Sequence, residues 1–289
     1  MTPRAIGWHV KDLARAAAAR GHRLDPCAWQ RLIGQVEDGR PVASDGPVIL
    51  DDADVVLLRT MPPGSLEQIV FRMDLVQRLE ARGVAVFNRP RAIEAAVDKY
   101  LALARMRQVG IPVPPTAVCQ RLDDASEAFE RLGGDVVVKP LFGSEGFGIT
   151  RVSDPALAER VFAALARMGS VIYVQRYIEH GGRDMRLFVL GGRVVAAMSR
   201  SGDSFRTNIA LGGVGRAECP DAPTCDLARQ AAEACDVAIG GVDIVTDPCG
   251  RRYVLEINAV PGWRALSQVA NVDIAAQIML WLERAMGDN

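Results

Sequence analysis

The chain has 289 residues, of which 49% are hydrophobic and 24% are charged, and its formal net charge at pH 7 is −1. This length suits two or three lobes with sizeable cores, and no segment has the unbroken apolar length of a membrane helix. The charge balance gives no overall attraction to nucleic acid or to an anionic membrane. The first residues lack the apolar stretch of a signal peptide, so we expect a soluble, cytoplasmic protein.

Common zinc and redox motifs are absent from the sequence. The six cysteines are scattered without a CxxC pair, and the three histidines do not have the spacing of HExxH. We therefore expect reduced, structural cysteines and no zinc site.

The first part of the chain is predicted to be an α/β lobe. Strands are expected at 5–10, 54–59 and 84–88, and helices at 11–20 and from about 65 to 82. Strands that alternate with helices indicate a doubly wound parallel sheet. No glycine-rich dinucleotide fingerprint follows the first strand, so this lobe is expected to form one wall of a substrate cleft.

A domain boundary is predicted near residue 96, where a proline and a short helix precede Asp98. Asp98 is a good cap for a helix at 99–109, because its side chain can accept hydrogen bonds from the first free N–H groups. The elements expected after it are a strand at 116–120, helices at 123–132 and 154–168, a strand at 171–178, a hairpin at 183–200 that turns at Gly191 and Gly192, a polar glycine-rich loop at 201–216, and helices at 223–237 and 271–286.

A glycine-rich hairpin follows an apolar strand in the stretch DVVVKPLFGSEGFGITRV. The strand ends at Lys139, and Gly143, Gly146 and Gly148 leave backbone N–H groups open to an anion. The spacing is neither the Walker pattern nor the Rossmann fingerprint, and the glycines of a tight turn would explain the hairpin alone. Lys139 favours a phosphate site, because an apolar run rarely contains an unpaired charge.

A second polar cluster is predicted in the stretch YVLEINAVPGW at 253–263. Side chains alternate along a strand, so Val254, Glu256 and Asn258 are expected on one face. Asp243 lies on another apolar strand, and antiparallel pairing of the two strands would bring it beside Glu256. Carboxylate and amide oxygens are ligands of Mg²⁺, which is usually shared with nucleotide phosphates. The alternative is a pair of edge strands whose polar residues face solvent.

Seven stretches together resemble the ATP-grasp superfamily and, within it, the RimK-like glutamate ligases. They occur in the order of the family and cover nearly everything after residue 88. They are VDKYLALARMRQVGIPVPPT, VVVKPLFGSEGFGI, YVQRYI, RDMRLFVLGGRVVAAMSR, FRTNIALGG, GVDIV and YVLEINAVPGW. The implied fold class is α/β and α+β. It is an ATP-grasp fold with an N-terminal doubly wound pre-ATP-grasp lobe at 1–96, a central subdomain with the glycine-rich loop at 97–175, and a C-terminal subdomain with the magnesium site at 176–289.

The resemblance implies an ATP site between two α+β lobes. Lys99 and Lys139 would neutralise the α and β phosphates, and Asp184 would lie near the ribose and the substrate. The residues that would cover the phosphates are Gly143, Ser144, Glu145, Gly146 and Gly148, and those that would hold adenine through the backbone are Gln175, Arg176, Tyr177 and Ile178. The matching metal ligands are Asp243, Glu256 and Asn258, with Mg²⁺ as the expected ion and Mn²⁺ as an alternative.

The implied reaction is transfer of the γ-phosphate of ATP to a substrate carboxylate, followed by attack of an amine on the acyl phosphate. Arg200 is predicted to hold the acyl phosphate and the tetrahedral intermediate, and Asn208 to orient the substrates. Arg186 either assists this step or pairs with Asp184.

The resemblance also implies the two organic substrates. Arg206 and Arg264 are candidates for binding the carboxylates of glutamate, because arginine matches a carboxylate with two parallel hydrogen bonds; each is otherwise a solvated surface residue. The acceptor is expected to be a small coenzyme of pterin or furan type, since the ending PGW and the stretches RTMPPG and FRMD resemble the coenzyme-directed members. A peptide or protein C-terminus is the other acceptor. Trp263 would stack on an aromatic acceptor or lie in the core.

Two other functions stay open. One is a dipeptide or D-alanine-type ATP-grasp ligase, whose motif also ends in Asn and Pro-Gly. The other is a non-catalytic nucleotide-binding protein, although a degenerate site would be expected to lose one of the lysines or metal ligands. The remaining expectations are a homo-oligomer and no nucleic-acid or membrane partner.

Overall fold

The computed structural model describes residues 7–36, 41–143, 146–202, 205–209 and 212–287. Its helices are α1 (Trp8–Ala18), α2 (Leu66–Ala81), α3 (Pro90–Val97), α4 (Lys99–Gln108), α5 (Leu122–Arg131), α6 (Pro155–Arg167), α7 (Ala222–Ala234), α8 (Arg264–Ala270) and α9 (Ile274–Gly287). Its strands are β1 (Ile33–Gln35), β2 (Val42–Asp45), β3 (Val48–Ile49), β4 (Val55–Leu57), β5 (Ala85–Phe87), β6 (Thr116–Cys119), β7 (Val136–Lys139), β8 (Thr150–Val152), β9 (Ile172–Arg176), β10 (Arg183–Leu190), β11 (Arg193–Ser201), β12 (Val214–Ala217), β13 (Ile239–Thr246) and β14 (Arg252–Asn258).

The N-terminal part contains a parallel pair of strands and a separate antiparallel sheet. β4 and β5 pair in parallel, and α2 connects them. The hydroxyl of Ser65 accepts from the N–H of Gln68, whose side chain accepts from the N–H of Ser65, so a capping box starts α2. β1, β2 and β3 form the antiparallel sheet. The sequence did not predict this sheet, because β1 is exposed at all three residues and lacks apolar alternation.

The strand predicted at 5–10 is wrong where the structure describes it. Residues 8–10 form the first turn of α1, and residues 5 and 6 lie outside the described ranges. The helix buries Leu13, Ala16 and Ala17 on one side, at the spacing of an amphipathic helix. These residues share a core with residues of α9. The helix that packs in this core starts at Trp8, three residues before the predicted start.

The central sheet has four antiparallel strands in the order β6-β9-β7-β8. One face packs on α5 and α6 through Phe129, Phe162 and Val174. The other face presents Lys139 and Gln175, which alternate with the apolar residues of β7 and β9. Strand alternation therefore separates a core face from a face with polar groups.

The C-terminal sheet has five antiparallel strands in the order β12-β11-β10-β13-β14. Its first face packs on α4 and α7, with Leu187, Val242 and Ile244 in that core. Its second face carries Phe188 and Leu190, which share a core with α1 and α9. Farther along the same strands, this second face becomes charged.

A β-bulge in β14 changes which side chains reach the second face. Asp243 lies opposite Glu256, but the next pair is Ile244 and Val254, so Leu255 is the extra residue. Val254 therefore packs in the core of the first face. This corrects the prediction that Val254 shares a face with Glu256, because a bulge breaks the strict alternation of side chains.

The hairpin of β10 and β11 turns at Gly191 and Gly192, as predicted. Their φ angles are 54° and 74°, in the left-handed region that glycine adopts without strain. A Cβ atom on Gly191 would lie 2.1 Å from Nε1 of Trp281. The turn therefore needs glycine for space as well as for backbone geometry.

The helix predicted at 271–286 is α9, and a short helix, α8, precedes it. The two are separated by Asn271, which has a φ of 52°, a conformation that asparagine tolerates at a helix end. Within the described ranges, no single helix is both long and apolar enough to span a membrane. The pair α8 and α9 meets that test only when taken together, by length and composition, with a bend of 103°.

Candidate active site

A cleft with an empty volume of about 650 Å³ lies between the polar face of the central sheet and the second face of the C-terminal sheet. It is lined by residues from β7, β9, β10, β11, β13 and β14. The sequence-predicted residues among them are Lys139, Gly146, Gln175, Arg176, Tyr177, Ile178, Asp184, Arg200, Arg206, Asn208, Asp243 and Glu256. The fold thus brings together groups that are far apart in the chain.

Lys139 is the buried cation on the central-sheet side of the cleft. Its Nζ donates to Oε1 of Gln175 at 2.7 Å, and Gln175 in turn donates to Oγ1 of Thr116 at 2.9 Å. Burial lowers the pKa of Lys139 to about 8, although the charge of Glu256 opposes the shift. Because its fixed partner is a neutral amide, the ammonium keeps charge and N–H groups for an anion.

Lys99 joins α4 to the glycine-rich hairpin. Asp98 accepts from the N–H groups of Tyr100 and Leu101, as its predicted role as a cap requires, so the helix starts at Lys99. The Nζ of Lys99 donates to the carbonyl of Gly143 at 2.9 Å. Burial lowers its pKa, against the charge of Glu256.

The hairpin itself depends on glycine. Gly143, Gly146 and Gly148 have φ angles of 132°, 79° and 73°, which other residues adopt only with strain. Gly143 and Gly148 lie on either side of Gly146, which reaches the cleft. Ser144 and Glu145, predicted to cover phosphates, lie outside the described residues.

Two arginines and two aspartates form a buried network on the second face of the C-terminal sheet. Nε of Arg200 donates to Oδ1 of Asp184 at 2.8 Å, and Nη2 lies 2.8 Å from Oδ2 of Asp243. Nη2 of Arg186 donates to Oδ2 of Asp243 at 2.6 Å. Arg186 therefore pairs with Asp243, which corrects the predicted alternative of a pair with Asp184. Both oxygens of Asp184 bind Arg200, so the local role of this carboxylate is to orient that guanidinium.

The pair of Asp243 and Glu256 has the chemistry of a divalent cation site. The two residues are opposite each other in β13 and β14. Burial, and then the charge of Asp243, raise the pKa of Glu256. Burial also opposes ionisation of Asp243, but the charges of Arg186 and Arg200 hold its pKa well below the usual range. A dication would relieve the repulsion between the two carboxylates, so they fit Mg²⁺.

Asn258 is the third predicted metal ligand. It lies on the second face, opposite Gly241 and two residues beyond Glu256. Its Oδ1 accepts from the N–H of Val260 at 2.9 Å, and a second lone pair remains. In the described part of the chain, no three His, Cys, Asp or Glu side chains are grouped for a metal ion. Magnesium would thus be held by two carboxylates, one amide oxygen and phosphate or water oxygens.

The segment predicted to hold adenine lines the cleft, and the ring of its Tyr177 contacts the rings of His180 and Phe205. The N–H groups of Arg176 and Tyr177 already donate to the carbonyls of Pro115 and Asp135, so a new contact through an N–H group falls to Ile178. The ring of Tyr177 lies under the guanidinium of Arg151, 3.6 Å from its centre. Arg151 belongs to β8, so this contact ties the glycine-rich hairpin to the adenine segment.

Six residues that line the cleft were not predicted from the sequence. They are Val137, Ile149, His180, Phe205, Thr207 and Leu255. Thr207 and Phe205 belong to FRTNIALGG, one of the seven stretches that resemble the RimK-like ligases, so this resemblance could have indicated them. Leu255 reaches the cleft through the bulge in β14, for which no sequence signal was apparent.

Asn208 and Arg206 lie on the loop that borders the cleft. The carbonyl of Asn208 accepts from the N–H of Gly213 at 3.1 Å, and Arg206 is exposed beside the ring of Phe205. Arg264 is exposed and lies over the ring of Trp8. The geometry therefore puts Arg206, and not Arg264, among the lining residues.

Trp263 is fully buried and belongs to the core with α1 and α9. Its Nε1 donates to Oδ2 of Asp12 at 2.9 Å, and its ring meets His9 and Phe188 edge to face. The core role holds, and stacking on an acceptor is wrong.

The model of the RimK-like ATP-grasp domain matches residues 96–282. A tetrahydromethanopterin:alpha-L-glutamate ligase of Methanosarcina acetivorans is 30% identical, with 96% of each chain covered. A ribosomal protein bS6--L-glutamate ligase of Escherichia fergusonii is 34% identical over 72% of this chain and 71% of that relative. The structure of the ATP-grasp ligase PsnB with minimal precursor, Mg and ADP has a TM-score of 0.77 and 22% identity, and covers 98% of this chain and 95% of that chain.

The chain belongs to the RimK-like ATP-grasp family. This confirms the predicted family, the mixed α/β and α+β ATP-grasp fold class, and the enzyme class of ATP-dependent ligase. ATP and Mg²⁺ are the general cofactors of this fold, as the Mg and ADP of the PsnB structure illustrate.

Proposed function

We propose that this chain forms an amide bond between L-glutamate and a carboxylate of a small coenzyme of pterin or furan type, through an acyl phosphate. The extent of similarity supports a coenzyme acceptor. The relative whose name specifies tetrahydromethanopterin aligns over 96% of this chain, whereas the relative named for ribosomal protein bS6 aligns over 72%. A peptide or protein C-terminus is the alternative acceptor.

The observation that carries the proposal is the meeting of cations and carboxylates in one buried cleft. Lys139, Arg200 and Asp243 are 8%, 4% and 3% exposed, and all three line the same space as Glu256. Such a site can neutralise phosphate charge on one side and hold a developing oxyanion on the other.

In the first step, an oxygen of the acceptor carboxylate forms a bond to the γ-phosphorus, the bond to the β-phosphate oxygen breaks, and ADP leaves. Lys99 and Lys139 neutralise the negative charge of the phosphates while the phosphoryl group is transferred. Mg²⁺, when bound at Asp243 and Glu256, offsets the charge on the phosphoryl oxygens.

In the second step, the amine nitrogen of glutamate attacks the acyl carbon. The carbon–oxygen bond to phosphate breaks, inorganic phosphate leaves, and the nitrogen loses a proton, which the departing phosphate accepts. Arg200, which Asp184 holds in orientation, donates hydrogen bonds to the tetrahedral oxyanion. Asn208 and Thr207 border the cleft and help to keep water from the acyl phosphate, which would otherwise be hydrolysed.

Glutamate brings two carboxylates that need partners. We assign one of them to Arg206, because this residue lines the cleft whereas Arg264 stacks on Trp8 outside it. The matched comparison is Arg206→Gln against Arg264→Gln, with KM for glutamate as the readout. We expect the first variant to raise this KM and the second to leave it close to wild type.

The deciding experiment measures phosphate release from Mg-ATP with purified protein, glutamate and a panel of acceptors. The panel contains pterin and furan coenzyme precursors and peptides that end in glutamate, and products are weighed by mass spectrometry. We expect a pterin or furan product heavier by one or more glutamyl residues.

Three other outcomes would contradict part or all of this proposal. Products formed only from peptides would move the acceptor to the alternative class. Turnover with another amino acid but not glutamate would indicate a dipeptide or D-alanine-type ligase. Tight ATP binding without phosphate release from any substrate pair would contradict ligase activity itself.

A further inference from the structure

Arg59 lies at the junction of the N-terminal lobe and the C-terminal sheet. It follows β4 and Leu58, at the carboxyl end of the parallel pair, where ligands of open α/β sheets commonly bind. Its Nη2 donates to the carbonyl of Pro261 at 2.9 Å, and its guanidinium lies 4.6 Å from the ring centre of Trp263. The carbonyl of Arg59 accepts from Nε1 of Trp29. Main chain and side chain are therefore both held in place.

The charge of Arg59 is not balanced by a carboxylate in the part of the chain that the structure describes. Within the described ranges its side chain donates one hydrogen bond, to a backbone carbonyl, so most of its five N–H groups remain for another partner. Burial lowers its pKa to about 10, and no acidic group among the described residues opposes the shift. Arg78 is similarly half-buried but pairs with Asp51 at 2.8 Å. A desolvated cation without a partner destabilises the ligand-free protein.

Arg59 also lies close to the catalytic network. Pro261, which it binds, approaches Gly241 so closely that a Cβ there would be 3.2 Å from the proline side chain. The same Cβ would be 3.2 Å from Cδ of Arg186, which binds Asp243. Arg59 is thus separated from the proposed reaction site by one proline and one glycine, and part of its surface is open to solvent.

We propose that Arg59 binds an anionic group, a carboxylate or a phosphate, of one of the two organic substrates, and so selects substrates that carry a negative charge besides the reacting group. This inference rests on the proposed ligase function. Occupation of the site would supply the missing counter-charge, and the planar guanidinium would form paired hydrogen bonds to it.

The first test is binding of simple anions by the full chain, saturated with Mg-ADP to occupy the nucleotide site. Glutarate and inorganic phosphate are added separately at constant ionic strength, and Tm is measured. A ligand of the folded state raises Tm, so we expect a rise for wild type that Arg59→Gln reduces to what the other cations of the cleft can give. The matched control is Arg251→Gln, at an exposed arginine in the turn between β13 and β14, which should keep the rise.

The ligand-free Tm separates a binding role from a structural one. Because Arg59→Gln removes an unbalanced charge, its ligand-free Tm should equal or exceed that of wild type. Should this variant fail to fold, Arg59→Lys keeps the charge but loses the paired hydrogen bonds. We expect it to need about tenfold more glutarate or phosphate for half of the Tm rise.

The second test identifies which substrate carries the anionic group. In the ligase assay, Arg59→Gln should raise KM for either the acceptor or glutamate about tenfold or more, and change kcat little. The substrate whose KM rises is the one that Arg59 binds.

Two results would overturn the inference. One is a Tm rise with glutarate or phosphate that is as large in Arg59→Gln as in wild type, or no rise in wild type. The other is an unchanged KM for both substrates. Failure of the ligase proposal is recognised separately, because wild-type protein would then release no phosphate with any substrate pair, whatever the anion-binding result.

Discussion

The second face of the C-terminal sheet is charged at one end and apolar at the other. The charged end consists of Asp184, Arg186, Arg200, Asp243 and Glu256. The apolar end consists of Phe188, Leu190, Ala196, Ile239 and the covering Trp263. Both ends draw on β10, β11 and β13, so the strands themselves do not distinguish them.

This difference teaches how one sheet serves both stability and chemistry. Each large apolar side chain at the apolar end stabilises the fold by about 1.5–3 kcal/mol through burial. At the charged end, desolvation offsets much of the attraction between the buried ions. We therefore expect substitutions at the charged end to change activity and those at the apolar end to change stability.

The largest expected effect is at the charged end, in Glu256→Gln. Loss of one metal-ligating charge should lower kcat/KM by about a thousandfold, measured by phosphate release. The Tm should not fall, because burial and the charge of Asp243 already disfavour an ionised Glu256. Glu233→Gln, at an exposed position of α7, is the control. Near-normal turnover in Glu256→Gln would show that the metal assignment is wrong.

At the apolar end, Phe188→Ala should reduce the free energy of unfolding by about 3–5 kcal/mol, because it leaves a cavity in a fully buried core. Chemical denaturation measures this loss. At a temperature below the Tm of the variant, turnover should stay within about threefold of wild type, because the apolar end is not expected to contact substrate. A variant of normal stability but low activity would break the division between the two ends.

Arg200→Lys sharpens the comparison at the charged end. Lysine keeps the charge but cannot bond to Asp184 and Asp243 in the forked geometry of arginine. We expect kcat to fall about a hundredfold while KM for ATP stays near wild type. Lysine is preferred to alanine, which would leave the buried carboxylate of Asp184 without its arginine, although Asp243 would keep Arg186, and cost about 3–5 kcal/mol. Loss of ATP affinity instead would place Arg200 in the nucleotide site.

The smallest expected effect is a pH dependence at the apolar end. Burial, and then the charge of Arg59, lower the pKa of His9 to about 4, against the charge of Asp12. The unfolded chain takes up this proton near pH 6.5, so stability should fall as pH drops from 6.5 to 4 and then level off. We expect a loss of about 1–2 kcal/mol from this residue.

Urea denaturation at pH 7 and at pH 4.5 measures the contribution of His9. Glutamine at this position offers an acceptor to the backbone N–H of Trp263 but does not titrate. In His9→Gln, the difference in the free energy of unfolding between pH 7 and pH 4.5 should therefore shrink by about 1–2 kcal/mol. An unchanged difference would show that His9 does not titrate as described.

Much of the architecture was predictable because its signals are local. Asp98 caps α4 through hydrogen bonds to residues two and three positions later, and the turn at Gly191 and Gly192 follows from backbone conformations open to glycine. The meeting of Asp243 with Glu256 was also predictable, since two neighbouring apolar strands with polar residues near their ends pair most simply as a hairpin.

The sequence by itself therefore determined the cap of α4, the turn at Gly191 and Gly192 and the hairpins of β10 with β11 and of β13 with β14, which depend on residues close together in the chain. Tertiary structure decided the rest. β10 lies between β11 and β13. Because of this strand order, Asp184 of β10 lies opposite Arg200 of β11, and Arg186 of β10 lies opposite Asp243 of β13. Likewise, the helix α1 shares a core with α9, and among the residues that the structure describes no carboxylate pairs with Arg59. Those outcomes depend on which distant surfaces meet, and on the desolvation that follows when they do.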